Sequence, residues 1–125
     1  MFTNFADAVA WIENSHRFGE KTDLTRMRAC CRMLGDPQDS FKSIHVAGTN
    51  GKGSTANYLK NILHAAGYKT GVYTSPYVVK FNERIGIGDD YIADETVVYY
   101  ANFLHDLWDR YYAETGDSIT FFEIV

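Results

Sequence analysis

Three glycines fall within the six residues Gly48-Thr49-Asn50-Gly51-Lys52-Gly53, and the segments on either side have different periodicities. Before the loop, residues 43–47 carry the branched Ile44 and Val46 and read as a short strand. After it, Tyr58, Leu59, Ile62, Leu63 and Ala66 recur at helical spacing as far as Gly67. A second strand reads over 70–74, so residues 43–74 have the length of a strand–helix–strand crossover, about 30 residues. This connection confines the chain to an α/β architecture. A glycine-rich turn of this kind brings backbone N–H groups close to a polyanion, because no Cβ obstructs the approach. The helix behind it presents unpaired N–H groups and roughly half a positive charge. Lys52 adds a full cation, and Ser54 and Thr55 add hydroxyls. The pattern departs from the usual phosphate loop in two places: Val46 stands where the first glycine is expected, and Gly53 follows the lysine directly. Strand before and helix after still favour a nucleotide phosphate over a plain flexible turn.

The remaining elements can be read from spacing and stop signals. Thr3 or Asn4 caps a first helix with Phe5, Ala8, Val9 and Ile12 on one face. Residues 16–22 read as a polar loop around Gly19. A second helix, capped by Thr22 or Asp23, carries the stripe Met27, Cys30, Cys31 and Leu34 and stops at Gly35 and Pro37. Residues 75–83 read as a structured loop. Residues 84–92 alternate around a Gly88-Asp89 turn and predict a small hairpin. A long helix then runs from Asp94 to about Glu114, with Val97, Tyr100 or Ala101, Leu104 and Trp108 on one side. Thr120 and Glu123 have capping-box spacing, which predicts a further helix.

Composition narrows the function. With a net charge of −4 over 125 residues there is no basic surplus for nucleic acid, so any polyanion site must be local. Hydrophobic residues make up 46% and charged residues 22%, as in globular domains. Neither a leader sequence nor an apolar run of membrane-spanning length is expected, and no membrane partner follows. Adjacent Cys30 and Cys31 point to different faces of a helix and read as reduced thiols in the cytoplasm rather than a redox or metal site. The apolar finish Thr120-Phe121-Phe122-Glu123-Ile124-Val125 reads as part of a longer protein.

Three separated motifs, in order, carry a resemblance. His45-Val46-Ala47-Gly48-Thr49-Asn50-Gly51-Lys52-Gly53-Ser54 resembles the glycine loop of the folylpolyglutamate synthase/dihydrofolate synthase family. Gly71-Val72-Tyr73-Thr74-Ser75-Pro76, followed by Phe81-Asn82-Glu83-Arg84-Ile85, is similar to the family's second signature. Arg26-Met27-Arg28, Leu34-Gly35-Asp36-Pro37 and Thr120-Phe121-Phe122-Glu123 resemble its flanking helical segments. The resemblance covers nearly the whole chain. It implies the N-terminal part of a P-loop ATPase domain with a mainly parallel sheet flanked by helices, of the Mur ligase-like type. The rest of that domain and a C-terminal glutamate-ligase domain would lie outside residues 1–125. It further implies an ATP- and Mg2+-dependent ligase that activates a folate or dihydropteroate carboxylate as an acyl phosphate and joins it to L-glutamate, working as a monomer when full length.

Carried over by position, the resemblance assigns Thr49, Asn50, Gly51, Lys52, Gly53 and Ser54 to the ATP phosphates, with Lys52 catalytic. Ser75 and Ser54 become Mg2+ ligands. Thr22, Asp23 and Leu24, with Thr120, Phe121, Phe122 and Glu123, would line the pterin site. The family's metal-binding glutamate and histidine and its modified lysine would follow Val125, so these residues alone are not expected to catalyse ligation. Tyr77 stands where the family often has histidine, which leaves the pterin preference open.

Simpler roles compete at several positions. Asp23 is first an N-cap and Glu123 first a capping-box residue. Ser75 before a proline is a common turn element. Glu83 and Arg84 are either a surface pair or shapers of the preceding loop. His45, His64 and His105 read as structural or surface residues, and the aromatics from Tyr99 to Tyr112 as core or interface. Two other functions also stand. A Mur-type amino-acid ligase shares the domain plan but carries threonine after the loop lysine. A non-catalytic nucleotide-binding module would lack the downstream metal ligands.

Overall fold

The computed structural model describes residues 1–15 and 23–125. It divides into two compact units, Met1–Lys42 with Val97–Val125, and Ser43–Thr96. The expected loop over 16–22 lies outside the described residues. Among those described, no helix is long and apolar enough to cross a membrane.

The first unit is helical. Helix α1 (Phe5–Asn14) starts where Asn4 Oδ1 accepts the Asp7 N–H at 2.9 Å, the N-cap that the spacing predicts. It buries Ala8 and Ile12. Helix α2 (Thr25–Met33) ends in a Schellman motif: the Asp36 N–H donates to Cys31 O at 2.8 Å and the Gly35 N–H to Arg32 O at 3.0 Å. Gly35 holds φ +78°, a left-handed value that costs any residue with a Cβ. The buried face of α2 differs from the expected stripe. Arg26 and Cys30 are buried, whereas Met27 is 38% exposed. Asp23 does not cap α2 in the N-cap position, which falls on Leu24; its Oδ1 accepts the Thr25 N–H at 2.9 Å from one residue further out.

Two longer elements complete this unit. Helix α4 (Asp94–Thr115) begins in the second unit and enters the first at Val97. It buries Val97, Ala101, Leu107 and Tyr111, so Ala101 rather than Tyr100 faces inward. Leu104 and Trp108 are only half-buried, because the buried face shifts around the helix along its 22 residues. Trp108 stacks on Tyr112 at 5.4 Å and 2°. The N-terminus is fastened to α4 by a reciprocal pair: the Phe2 N–H donates to Asn102 Oδ1 at 2.6 Å, and Asn102 Nδ2 donates to Phe2 O at 3.0 Å. Helix α5 (Phe121–Ile124) opens on the predicted capping box of Thr120 and Glu123.

The second unit is a helix beside a small sheet. Helix α3 (Lys52–Ala65) follows the glycine loop, and β1 (Gly71–Tyr73) follows α3. Strand β1 pairs antiparallel with β2 (Ile85–Ile87), which pairs antiparallel with β3 (Asp90–Tyr91). The hairpin around Gly88-Asp89 is therefore as expected. The strand expected over 43–47 is not formed: it joins no ladder among the described residues, and Ile44 is 63% exposed. The predicted crossover is correspondingly open. A strand is defined by its partner, and β1 takes its hydrogen bonds from β2. Tyr58 and Ile62 on α3 are 68% and 64% exposed, whereas Leu59 and Leu63 are half-buried, so only part of the apolar stripe that marked this helix is covered among the described residues.

Residues 75–94 owe their shape to two carboxylates. Glu83, in the 3-10 turn Phe81–Arg84, accepts the N–H groups of Val78, Val79 and Lys80 at 2.9, 3.0 and 2.8 Å. These bonds hold its carboxyl below the ordinary glutamate range, Val78 and Lys80 contributing most and partial burial opposing. Asp94 accepts from Lys80 Nζ at 2.7 Å and from Asn82 Nδ2 at 2.9 Å, which lower its pKa in that order, with burial again opposing. Glu83 is thus a shaper of the loop, not one half of a surface pair with Arg84. Arg84 lies over the rings of Tyr77 and Phe81 at 5.3 and 5.8 Å.

A pH dependence follows. A carboxyl whose pKa is depressed by folding stabilises the loop above its unfolded pKa of about 4.3, and that contribution disappears as pH falls through the folded value. Amide exchange, corrected for intrinsic rates, is expected to show Val78, Val79 and Lys80 losing protection together on acidification below about pH 4. In Glu83→Ala the three amides should be unprotected already at neutral pH. Protection that survives the substitution would contradict this role.

Candidate functional site

The glycine loop has the features of an anion cradle. Gly51 is the N-cap of α3 at φ +75°, a conformation that leaves no room for an ordinary side chain's preferences. No side chain caps this helix, and its first bond runs from the Thr55 N–H to Gly51 O at 2.9 Å. The N–H groups of Lys52, Gly53 and Ser54 are therefore the open donors of the first turn. A Cβ built on Gly53 would meet nothing within 4 Å, so no packing within the described chain demands glycine there. Glycine costs about 1 kcal/mol relative to alanine inside a helix. The space it leaves beside three open donors suits a phosphate.

Lys52 occupies the first helical position, and its side chain arches back across the loop. Its Nζ donates to Gly48 O at 2.6 Å and lies 3.4 Å from Thr49 O. The ammonium is thus held at the loop by exposed carbonyl contacts, from which it can turn to an anionic acceptor. Thr49, Asn50, Gly51, Lys52, Gly53 and Ser54 are all exposed and consecutive, so the structure brings these six candidates together on one loop and helix start.

Ser75 is exposed two residues beyond the end of β1, joined to Pro76 by a cis peptide bond. Ser54 and Ser75 each offer a hydroxyl oxygen, a donor type that suits Mg2+. Among the described residues, no group of three or more His, Cys, Asp or Glu side chains could hold a metal. Tyr77, at the position that departs from the family pattern, is half-buried and packs edge-on against Phe81 at 6.1 Å.

The candidates for the pterin site divide by exposure. Thr22 lies outside the described residues. Asp23 is exposed, Leu24 is 62% exposed and Phe122 is 67% exposed. Thr120 and Phe121 are buried, at 6% and 9%. Glu123 turns inward: its Oε2 accepts both the Thr120 N–H and the Thr120 hydroxyl at 2.8 Å, and Arg26 Nε lies 3.1 Å from each of its oxygens. Arg26 Nη1 also lies 3.6 Å from Asp117 Oδ2. Burial opposes the charge on the Arg26 guanidinium, but Glu123 and Asp117 outweigh it and its pKa is raised. Burial, reinforced by the Glu123 charge, pushes the Cys30 thiol up to about 11, so it is an inert core group.

The importance of Arg26 escaped the sequence reading. Its signal was the i, i+4 spacing to Cys30, which places both on the same side of α2, but a charged residue on an apolar face is ordinarily solvated. Among the described residues, His64 Nε2 lies 3.4 Å from Asp89 Oδ2, and His105 Nδ1 lies 3.3 Å from Asp109 Oδ2. His105 packs against Phe2 and Trp11 with ring centroids 5.6 and 5.2 Å away.

Known proteins share this arrangement. No protein-family model matches the chain. It is 46% identical over 95 residues to the dihydrofolate synthase/folylpolyglutamate synthase of Bacillus subtilis, covering 76% of this chain and 22% of that protein. It is 37% identical over 123 residues to the folylpolyglutamate synthase of Lacticaseibacillus casei, covering 98% of this chain and 29% of that protein. A solved structure described as an FPGS–AMPPCP–folate complex matches with a TM-score of 0.92 at 37% identity, over 98% of this chain and 30% of that one. The chain thus spans between a fifth and a third of the length of these relatives. The α/β architecture is the Mur ligase-like one expected, but among the described residues the sheet is antiparallel throughout and the mainly parallel pairing expected is not seen there. The glycine loop, the second signature and the capped helix at Thr120 stand in order on one matching backbone, and the chain belongs to the folylpolyglutamate synthase/dihydrofolate synthase family.

Proposed function

We propose that the complete protein is an ATP-dependent ligase that adds glutamate to the carboxylate of a folate or dihydropteroate, and that residues 1–125 form part of its ATP-binding domain. The observation that carries this reading is the open first turn of α3 with Lys52 folded over it. Support comes from relatives named folylpolyglutamate synthase and dihydrofolate synthase and from a similar structure bearing AMPPCP and folate in its description. The remainder of the ATP-binding domain and a glutamate-ligase domain would then lie outside this chain. Free thiols at Cys30 and Cys31 suit a reducing compartment, the cytoplasm, and we propose a monomeric full-length enzyme.

In this reading a phosphoryl group passes from ATP to the substrate carboxylate, and the amine of glutamate then displaces phosphate to give the amide. The N–H groups of Gly51, Lys52, Gly53 and Ser54, with the side chains of Thr49 and Asn50, hold phosphate oxygens. Lys52 Nζ exchanges its Gly48 and Thr49 carbonyls for a phosphate oxygen and carries charge to where it accumulates in the transition state. Ser54 and Ser75 would hold Mg2+, which would supply neutralisation of phosphate charge. Glu83 fixes the loop after Ser75 by gathering its amides, so that the serine hydroxyl is presented from a set backbone.

The decisive test is ADP release by the full-length protein with glutamate and either dihydropteroate or tetrahydrofolate. Stimulation by neither substrate would rule the reading out. Lys52→Ala should cost at least about 3 kcal/mol of transition-state stabilisation, a fall in turnover of more than about a hundredfold; turnover within tenfold of wild type would remove the lysine from this role. Ser75→Ala should raise the Mg2+ concentration needed for half-maximal rate while leaving the melting temperature unchanged. An unaltered Mg2+ titration would take Ser75 out of the metal site.

A further inference from the structure

The first unit contains a charged cluster that the phosphate chemistry does not use. Arg26 is 4% exposed and sits two residues after Leu24, near the start of α2. Its Nε lies 3.1 Å from both oxygens of Glu123 on α5, and its Nη1 lies 3.6 Å from Asp117 in the turn after α4. Glu123 in turn fixes Thr120 through two bonds of 2.8 Å, one to its N–H and one to its hydroxyl. One guanidinium therefore ties the start of α2 to two neighbouring segments near the other end of the chain, the turn at Asp117 and helix α5. Two of these, around Leu24 and around Phe122, carry the exposed candidates for the pterin site.

We propose that Arg26 is a positioning residue for that site: it acts through Glu123 to set Thr120–Phe122 relative to Asp23–Leu24, and Glu123 serves the site as its tether and not as a substrate contact. The geometry favours this division. Both Glu123 oxygens face Arg26, and Oε2 additionally receives two donors from Thr120, so the carboxylate is engaged within its own unit. Breaking a buried pair leaves an uncompensated charge, whereas a buried pair kept whole contributes mainly to fixing one arrangement. Arg26 shares Nε between the two Glu123 oxygens while Nη1 reaches Asp117, and the single nitrogen of a lysine cannot occupy both positions.

This inference rests on the ligase reading, and its test separates the two. Full-length wild type, Arg26→Met, Arg26→Lys and Glu123→Gln are compared for the KM of dihydropteroate or tetrahydrofolate, the KM of ATP and the amide protection of Thr120. Each variant should raise the pterin-substrate KM at least tenfold and leave the KM of ATP within twofold, with Arg26→Lys the mildest. The Thr120 amide should lose protection in Arg26→Met and Glu123→Gln. An unchanged pterin-substrate KM in a folded variant overturns the assignment, and so does a rise in Glu123→Gln unaccompanied by one in the arginine variants, which would make Glu123 a direct ligand. If Arg26→Met does not fold, Arg26→Lys and Glu123→Gln decide the matter. Wild type without pterin-stimulated ADP release would sink the ligase reading and the inference with it, whereas an active wild type with unaffected variants would sink the inference alone.

Discussion

A carboxylate drawn partly out of water must collect hydrogen-bond donors, and in each unit of this chain one glutamate organises a loop by doing so. Glu83 gathers three consecutive backbone N–H groups. Glu123 gathers the backbone and hydroxyl of Thr120 together with the buried guanidinium of Arg26. Neither loop has a regular ladder to satisfy its amides, so the side chain replaces the missing secondary structure. The elements around them inherit their positions: the Phe81–Arg84 turn leads straight into β2, and Thr120 starts α5.

The glycine loop is the complement of this arrangement. At Glu83 the donors and the anion belong to the same chain and close on each other. At Gly51 the donors are held open, with no side-chain cap and with a lysine parked on two carbonyls. A helix start without a cap forgoes about 1 kcal/mol of local stability, and the glycine after the lysine adds a cost of similar size. Those losses are tolerable where a bound anion restores the missing partners. The same physics therefore separates the two loops: satisfied donors fix shape, and unsatisfied ones stay open to an anion.

The parts of the fold legible in sequence were those encoded locally. Asn4 as a cap, Gly35 as a stop, the Gly88-Asp89 hairpin and the Thr120–Glu123 capping box all depend on residues within a few positions of one another, and all formed. The strand over 43–47 did not, because alternation can nominate a strand but only a partner can pair it. The long-range features were the least readable. Nothing in Arg26-Met27-Arg28 reveals which arginine turns inward, since the choice is made by Glu123, 97 positions away. Of the candidate site, the glycine loop and the helix start behind it were legible because they are contiguous. The substrate segments were legible only through their likeness to a family, and that likeness could not distinguish a residue that touches a ligand from one that holds its neighbour.

Cys30 and Cys31 equip the first unit with a chemical clock. Alkylating reagents consume thiolate. At pH 8 a thiol with a pKa of about 11 is ionised in only about one molecule in a thousand, against about a quarter for an unfolded cysteine near 8.5. Burial and the small thiolate population thus slow labelling of Cys30 in the folded state, and release of α2 from its packing accelerates it. Cys31, its half-buried neighbour, records reagent access under the same conditions. The ratio of the two modifications, read by mass spectrometry, reports how often the helical unit opens without any engineered probe.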